Sequence, residues 1–173
     1  SSVPLQGTKE AQSLYQRAAL ANTEGRYDEA RKLFKKALDA GAGVQAYLAL
    51  AKLEREKGSK PEAFRILKQA INLFPEHANF YVIYGQMERS SRNYKRAEEI
   101  FRDGLSRIPG EPQLKLGLAQ TLVQLGSEDT LAEARKIFES LKQCRKLDMK
   151  DTLYQRYLYF SRNPRANKVY EFF

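Results

Sequence analysis

The stretch from Ala78 to Glu111, ANFYVIYGQMERSSRNYKRAEEIFRDGLSRIPGE, contains two runs in which large apolar and small residues recur three or four positions apart. That spacing puts one apolar stripe along each of two helices. The polar residues from Ser90 to Asn93 lie between the runs and are typical of a turn. The stretch therefore predicts a hairpin of two antiparallel helices.

The residues of these stripes resemble the tetratricopeptide repeat (TPR), a unit of about 34 residues. That family places large, small and aromatic residues and a proline at fixed positions. Here those positions are occupied by Tyr81, Gly85, Tyr94, Ala97, Phe101, Gly104 and Pro109. The resemblance implies a protein-binding module, because most members of the family bind other proteins.

The openings of the second and third repeats also resemble the related half-a-TPR (HAT) repeat, which occurs mostly in RNA-processing assemblies. The matching residues are Tyr47, Leu50 and Glu54 in the second repeat and Tyr81, Tyr84 and Glu88 in the third. The chain therefore combines features of the two families.

The same pattern recurs along the chain, with repeats at about 11–43, 44–77, 78–111, 112–147 and 148–173, the last incomplete. Residues 1–10 are predicted to be an N-terminal tail or the start of the first helix, and residues 11–173 a single domain. The resemblance implies an all-α fold, a right-handed superhelical solenoid of antiparallel helix hairpins. In the fourth repeat the landmark residues arrive three positions late. We predict that a loop insertion from Ser127 to Thr130 causes this delay.

The composition is that of a folded chain, with 42% hydrophobic and 29% charged residues. No apolar run reaches the roughly 18 residues that a membrane span needs, so none is predicted. The single cysteine excludes an internal disulfide and fits an intracellular location, whether cytoplasmic, nuclear or organellar. The 30 Lys and Arg exceed the 21 Asp and Glu, which gives a net charge of +9 spread over all the repeats. A solvated surface of mixed charge explains most of this excess, although a basic chain also attracts acidic peptides and nucleic acid.

No arrangement of residues predicts catalysis, and we expect no catalytic, cofactor-binding or metal-binding residues. One histidine, His77, and one cysteine, Cys144, are too few for the usual metal clusters. The segment from Gly41 to Ala46 formally matches a dinucleotide-binding fingerprint, but it follows a predicted helix rather than a strand. His77 lies in a predicted loop between repeats, where we expect a surface side chain.

In TPR proteins the first helix of each repeat lines a concave groove, and the resemblance implies the same role for fixed positions here. The polar and charged residues at such positions are Gln12, Tyr15, Asn22, Gln45, Lys52, Arg55, Asn79, Gln86, Arg89, Gln113, Gln120 and Arg156. None of them is acidic, so we predict a basic, amide-rich groove. Some TPR domains clamp the carboxylate of chaperone tails with Lys, Asn and Arg; the equivalent residues here are Tyr15, Ala19, Ala49, Asn79 and Ile83. A chaperone tail is therefore not the expected ligand.

These features favour a protein-interaction scaffold that binds a partner segment of acidic character in its groove. The alternative is a HAT-like module of an RNA-processing or RNA-binding protein, which Glu54, Glu88 and the positive charge support. The sequence ends on the apolar residues Val169, Tyr170, Phe172 and Phe173. An exposed apolar end predicts self-association.

Overall fold

The computed structural model describes residues 7–142. Within that range the chain forms eight α-helices and no β-strand, which confirms the predicted all-α class. The helices are α1 (Lys9–Thr23), α2 (Tyr27–Asp39), α3 (Val44–Lys57), α4 (Lys60–Leu73), α5 (Ala78–Ser90), α6 (Tyr94–Arg107), α7 (Pro112–Leu125) and α8 (Glu128–Leu141). Two or three residues connect the two helices of each pair, so every pair is a tight hairpin.

The chain divides into two compact units, Ser1–Phe80 and Tyr81–Phe173. In unit 1, α1 packs against α2, α2 against α3, and α3 against α4. In unit 2, α6 packs against both α5 and α7, and α7 packs against α8. Within each unit, the second helix of one hairpin therefore packs on the first helix of the next.

Hydroxyl side chains cap the N-termini of three of the helices. Thr8, Ser59 and Ser127 accept the backbone N–H of the residue three positions later, at 3.2, 3.4 and 3.1 Å. These bonds satisfy N–H groups that have no partner inside the first helical turn. Pro61 occupies the first turn of α4, where a missing N–H costs nothing.

The turns of the first and third hairpins have the same backbone geometry but different residues. Gly25 and Arg92 both have left-handed φ values, +79° and +63°. The residue after each donates its N–H to the carbonyl five positions back, at 2.8 Å in the first hairpin and 2.9 Å in the third. Glycine adopts this conformation without strain, whereas arginine does not.

Phe101 of α6 is fully buried between two glycines on neighbouring helices. A Cβ atom at Gly85 of α5 would lie 2.4 Å from Phe101 Cζ, and one at Gly117 of α7 would lie 2.2 Å from Phe101 Cε1. Both distances are shorter than van der Waals contact. The small residues of the repeat pattern are therefore required because α5 and α7 approach α6 closely.

An ion pair also joins α6 to α8 within unit 2. Arg102 donates to both carboxylate oxygens of Glu133, at 2.8 and 2.7 Å, and donates to Glu98 at 3.0 Å. The hydrogen bonds from Arg102 hold the pKa of the Glu133 carboxyl below its usual range.

The two glutamates of the HAT-like openings are buried and support turns. Glu54 of α3 is 2% exposed and accepts the backbone N–H of Ser59 at 3.2 Å. Glu88 of α5 is 8% exposed and accepts from Asn93 Nδ2 at 2.9 Å. Both carboxylates thus stabilise the connection to the following helix, and this packing role needs no RNA ligand.

The predicted loop insertion at Ser127 to Thr130 is wrong. Gly126 ends α7 in a left-handed conformation, Ser127 caps α8, and Glu128 to Thr130 form its first turn. The buried residues Ala134 and Phe138 of α8 correspond to Ala97 and Phe101 of α6, but they lie one turn further from the helix start. The extra residues therefore lengthen the start of α8 and leave the connection short.

Several predictions lie outside the described residues. These are the fifth repeat at 148–173, the environment of Cys144, the groove position Arg156, and self-association through the C-terminal apolar end. They remain predictions.

Candidate functional site

A pocket of 340 Å³ lies in unit 1 between α1 and α3, and we call it the α1–α3 pocket. Its lining residues are Tyr15, Ala19, Asn22, Thr23, Phe34, Gln45, Leu48, Ala49, Lys52, Leu53 and Glu56. Its volume is at the lower end of the range found for ligand-binding clefts, about 300–1,000 Å³. Four residues of the predicted groove, two from each helix, thus line one cavity: Tyr15, Asn22, Gln45 and Lys52.

The base of the α1–α3 pocket is apolar. Phe34 of α2 is 1% exposed, and the Tyr15 ring packs against it at a centroid distance of 5.8 Å. Leu48 and Leu53 are buried side chains of α3 that contribute to the same lining. The sequence did not predict Phe34 or Leu53 as lining residues, because both are explained by the packing of the hairpin.

The rim of the pocket carries polar groups from both helices. Lys52 of α3 is exposed, and its ammonium has no ion-pair or hydrogen-bond partner within residues 7–142. Asn22 of α1 lies across the pocket from α3 with its side-chain amide likewise unbonded in the described part of the chain. The Thr23 hydroxyl already makes a hydrogen bond, since it donates to Ala19 O at 2.9 Å. The rim therefore offers one unpaired cation and an amide above an apolar base.

The expected absence of acidic groups from the groove is wrong for this pocket. Glu56, one turn after Lys52 on α3, is part of the lining. Arg55 donates to Glu56 Oε1 at 3.1 Å, and Arg55 is not itself a lining residue. The position of Glu56 could have been predicted from the sequence, because it follows Lys52 by four positions and residues four apart share a helix face.

The other predicted groove residues of unit 1 lie away from the pocket. Gln12 donates from Nε2 to Gly7 O at 3.4 Å near the start of α1. Asn79 is an exposed residue in the first turn of α5. Neither is among the residues that line the α1–α3 pocket.

In unit 2 the predicted groove residues divide into a hydrogen-bonded pair, of which Arg89 is half-buried and Gln120 buried, and two solvent-accessible amides. Arg89 of α5 donates from Nη1 to Gln120 Oε1 of α7, and Gln120 is only 6% exposed. Gln120 therefore orients Arg89, and its role in the predicted groove stays a prediction. Gln86 is half-buried and Gln113 is exposed.

His77 is half-buried, in contrast to the predicted surface position. Its ring lies 5.1 Å from the ring of Phe80, which in turn stacks with Phe74 at 6.2 Å. The Nδ1 atom is buried and has no hydrogen-bond partner within residues 7–142. Burial lowers the pKa of the imidazole, because the charged form loses solvation.

The described residues contain no group of three or more His, Cys, Asp or Glu side chains positioned for a metal ion. No helix within residues 7–142 is long and apolar enough to cross a membrane. The α1–α3 pocket can bury an apolar group and can bind a carboxylate or similar anion through Lys52.

Comparisons with known proteins agree with this architecture. The family model of the tetratricopeptide repeat matches residues 15–74 and again residues 48–112. No curated protein sequence matches the chain at a significant level.

Three solved structures have similar folds. PilF of Pseudomonas aeruginosa has a TM-score of 0.69 at 19% identity, over 94% of this chain and 73% of that one. MamA of Desulfovibrio magneticus RS-1 has a TM-score of 0.62 at 19% identity, over 78% and 77% of the two chains. The first TPR of Spaghetti (RPAP3), bound to the HSP90 peptide SRMEEVD, has a TM-score of 0.52 at 17% identity, over 80% and 100%.

The protein is a helical-repeat protein, because it consists of successive hairpins with small residues where helices cross and a pocket between the first helices of two hairpins. Since the family model covers more than half of the 173 residues, the chain belongs to the tetratricopeptide repeat family.

Proposed function

We propose that this protein is an interaction scaffold whose α1–α3 pocket binds an extended segment of a partner protein. The segment presents an apolar side chain to the pocket base and a carboxylate to Lys52. The observation that supports this function is the combination in one cavity of an apolar base and an ammonium group without a partner in the described chain.

The apolar base supplies most of the binding energy in this proposal. Phe34, Leu48 and Leu53 form a surface that can remove one aliphatic or aromatic side chain of the partner from water. Full burial of such a side chain contributes about 1.5–3 kcal/mol. That is enough to anchor a segment, but affinity in the micromolar range needs additional contacts.

The polar groups of the rim orient the bound partner segment. Lys52 forms a charge-assisted hydrogen bond with a carboxylate, which is stronger than a bond between neutral groups. The amide of Asn22 can bond to backbone groups of the partner, because an extended chain leaves its N–H and C=O groups unpaired. Gln45 lines the opposite side of the pocket. In unit 1, Gln12, Arg55 and Asn79 are proposed as peripheral contacts of this segment. In unit 2, Gln86, Arg89 and Gln113 are proposed, by themselves, as residues that contact a partner.

The Spaghetti structure supports this proposal at the level of the fold, since it contains a TPR unit with a bound peptide. Its peptide, SRMEEVD, has a carboxyl-rich end. The residues of this chain at the carboxylate-clamp positions include Tyr15 and Ala19, which carry no cation. We therefore propose an internal segment of the partner as the ligand, rather than a C-terminal tail.

An array of short peptides that combine acidic and apolar residues tests the proposal. The purified protein should bind a subset with an apolar residue near a carboxylate, and Lys52→Glu should weaken that binding about tenfold or more because it reverses the charge at the contact. Lys32→Glu is the matched control, because Lys32 is an exposed lysine of α2 that does not line the pocket. Equal losses in both variants, or no selective binding by the wild type, would contradict the proposal.

A labelled single-stranded RNA serves as the second probe in the same experiment. If it binds more tightly than any peptide, with a steep dependence on salt and a loss in Lys52→Glu, the pocket belongs to an RNA-binding module. The observations favour peptide, because the two HAT-like glutamates have packing roles and the pocket base is apolar.

A further inference from the structure

Glu56 is the acidic side chain on the lining of the α1–α3 pocket, and within the described residues no second acidic group lines it. It follows Lys52 by four positions on α3, so the two side chains leave the same face of the helix about 6 Å apart. Arg55 contacts Glu56 at 3.1 Å, but the Glu56 side chain stays 58% exposed. The Glu56 carboxylate, with one oxygen bonded to Arg55 and the other unbonded within the described residues, therefore lies one helical turn from the unpaired ammonium.

The spacing of Lys52 and Glu56 matches the spacing of alternate residues in an extended peptide. Residues two apart in a strand point to the same side and are separated by about 6–7 Å. If the partner segment runs along α3 with its carboxylate at Lys52, the side chain two positions along the segment falls near Glu56. An acidic residue at that place meets a like charge, whereas a neutral or basic residue does not.

We propose that Glu56 is a specificity-determining residue, which restricts the α1–α3 pocket to partner segments whose carboxylate has a neutral or basic residue two positions away. This inference rests on the proposed function of the pocket. Runs of acidic residues are rejected, because they place a second negative charge beside Glu56. Single-stranded nucleic acid is rejected for the same reason, since every nucleotide carries a phosphate charge.

Glu56 and the overall charge of the protein have different effects on binding. The net charge of +9 favours any polyanion through long-range attraction. Discrimination between a single carboxylate and an acidic run requires instead a repulsive group at the contact. Glu56 is the described residue that supplies one at the pocket.

Three matched peptides test this inference. They share an apolar residue and one glutamate, and they carry alanine, lysine or a second glutamate two positions from the first. The wild type should bind the alanine and lysine peptides about three- to tenfold more tightly than the diglutamate peptide, as expected for like charges about 6 Å apart near a protein surface. Glu56→Gln should remove most of this preference, and Glu56→Lys should reverse it.

Glu76→Gln is the control, because it makes the same charge change at an exposed residue between α4 and α5, away from the pocket lining. It should leave the preference intact. The inference is overturned if Glu56→Gln keeps the wild-type preference, or if it strengthens all three peptides equally as a general charge effect. Binding of none of the peptides by any variant overturns the proposed function and this inference together, whereas binding without discrimination overturns this inference alone.

Discussion

Arg31 of α2 donates its Nε–H to the buried carboxylate of Glu54 in α3, although the two residues lie 23 positions apart in the chain. The second carboxylate oxygen of Glu54 accepts the backbone N–H of Ser59. The hydrogen bond to Glu54 raises the pKa of the Arg31 guanidinium. One carboxylate therefore joins the first hairpin to the second and also supports the turn that leads into α4.

Arg31→Met should lower the free energy of unfolding by about 3 kcal/mol, because it leaves the Glu54 carboxylate buried without its cation. The double variant with Glu54→Gln should recover most of that loss, since the neutral amide can still accept the Ser59 N–H. Urea denaturation measures both values. Arg26→Met is the control: Arg26 pairs with Glu24 and Glu29 on the surface, and such pairs contribute little to stability because solvent screens them. An equal loss in Arg31→Met and Arg26→Met would show that the buried pair has no special role.

The fold was predictable from the sequence because packing residues recur at fixed spacings. Phe101 and its two glycines illustrate the reason: a close crossing of helices tolerates very few residue types, so the pattern is strict. The start of α8 was not predictable from the same pattern. Three inserted residues turn a helix by about 300°, so the apolar stripe continues almost unchanged whether the insertion is a loop or a helical turn. Ser127, followed by two acidic residues, was the local signal for a helix start.

The candidate site was predictable in part. Tyr15, Asn22, Gln45 and Lys52 line one cavity because groove positions recur with the repeat. The role of Gln120 was not predictable, since it depends on Arg89 of a different helix lying across it. Periodicity within one helix assigns a face, whereas contacts between helices decide which side chain on that face reaches the solvent.

Gly117→Ala tests the close packing around Phe101. An alanine at an exposed position of a helix interior is more stable than glycine by about 1 kcal/mol, but here the new methyl group would overlap the Phe101 ring. We expect a net loss of about 1–3 kcal/mol, as for other overpacked cores. Combining Gly117→Ala with Phe101→Leu should cost less than the sum of the two single changes, because the smaller side chain vacates the space. Thermal and urea unfolding of the four proteins complete the double-mutant cycle, and strict additivity would contradict the proposed overlap.

A reciprocal exchange tests the strain at the third hairpin turn. Arg92→Gly should raise the free energy of unfolding by about 0.5–1 kcal/mol, because glycine relieves the left-handed backbone while adding some entropy to the unfolded chain. Gly25→Arg should lower it by a similar amount, since a Cβ there has no neighbour within 4 Å among the described residues and only the backbone conformation opposes it. Urea midpoints of both variants measure the effect. Changes of the same sign would show that side-chain contacts outweigh the backbone at one of the turns.

The environment of His77 predicts how stability depends on pH. The folded state depresses the pKa of this imidazole below its unfolded value of about 6.5, because the ring is partly buried against Phe80 and its charged form loses solvation. Nδ1 has no hydrogen-bond partner in the described part of the chain. As pH falls below about 6.5, the unfolded chain takes up the proton before the folded chain does. The free energy of unfolding therefore decreases between the unfolded and the folded pKa, and above the unfolded pKa the residue has no such effect.

His77→Leu should remove this loss, so the stability difference between the variant and the wild type should grow in favour of the variant as the pH is lowered from 7.5 to 5.5. Each unit of pKa depression corresponds to about 1.4 kcal/mol at the acidic limit. Lys60→Leu is the control, because it introduces the same leucine at an exposed residue of α4. As this is the only histidine in the sequence, its NMR titration in an untagged protein gives one signal and reports the folded pKa directly. A folded pKa at or above 6.5, or a pH-independent difference between His77→Leu and the wild type, would mean that the ring is solvated and that its contacts with Phe80 do not persist in solution.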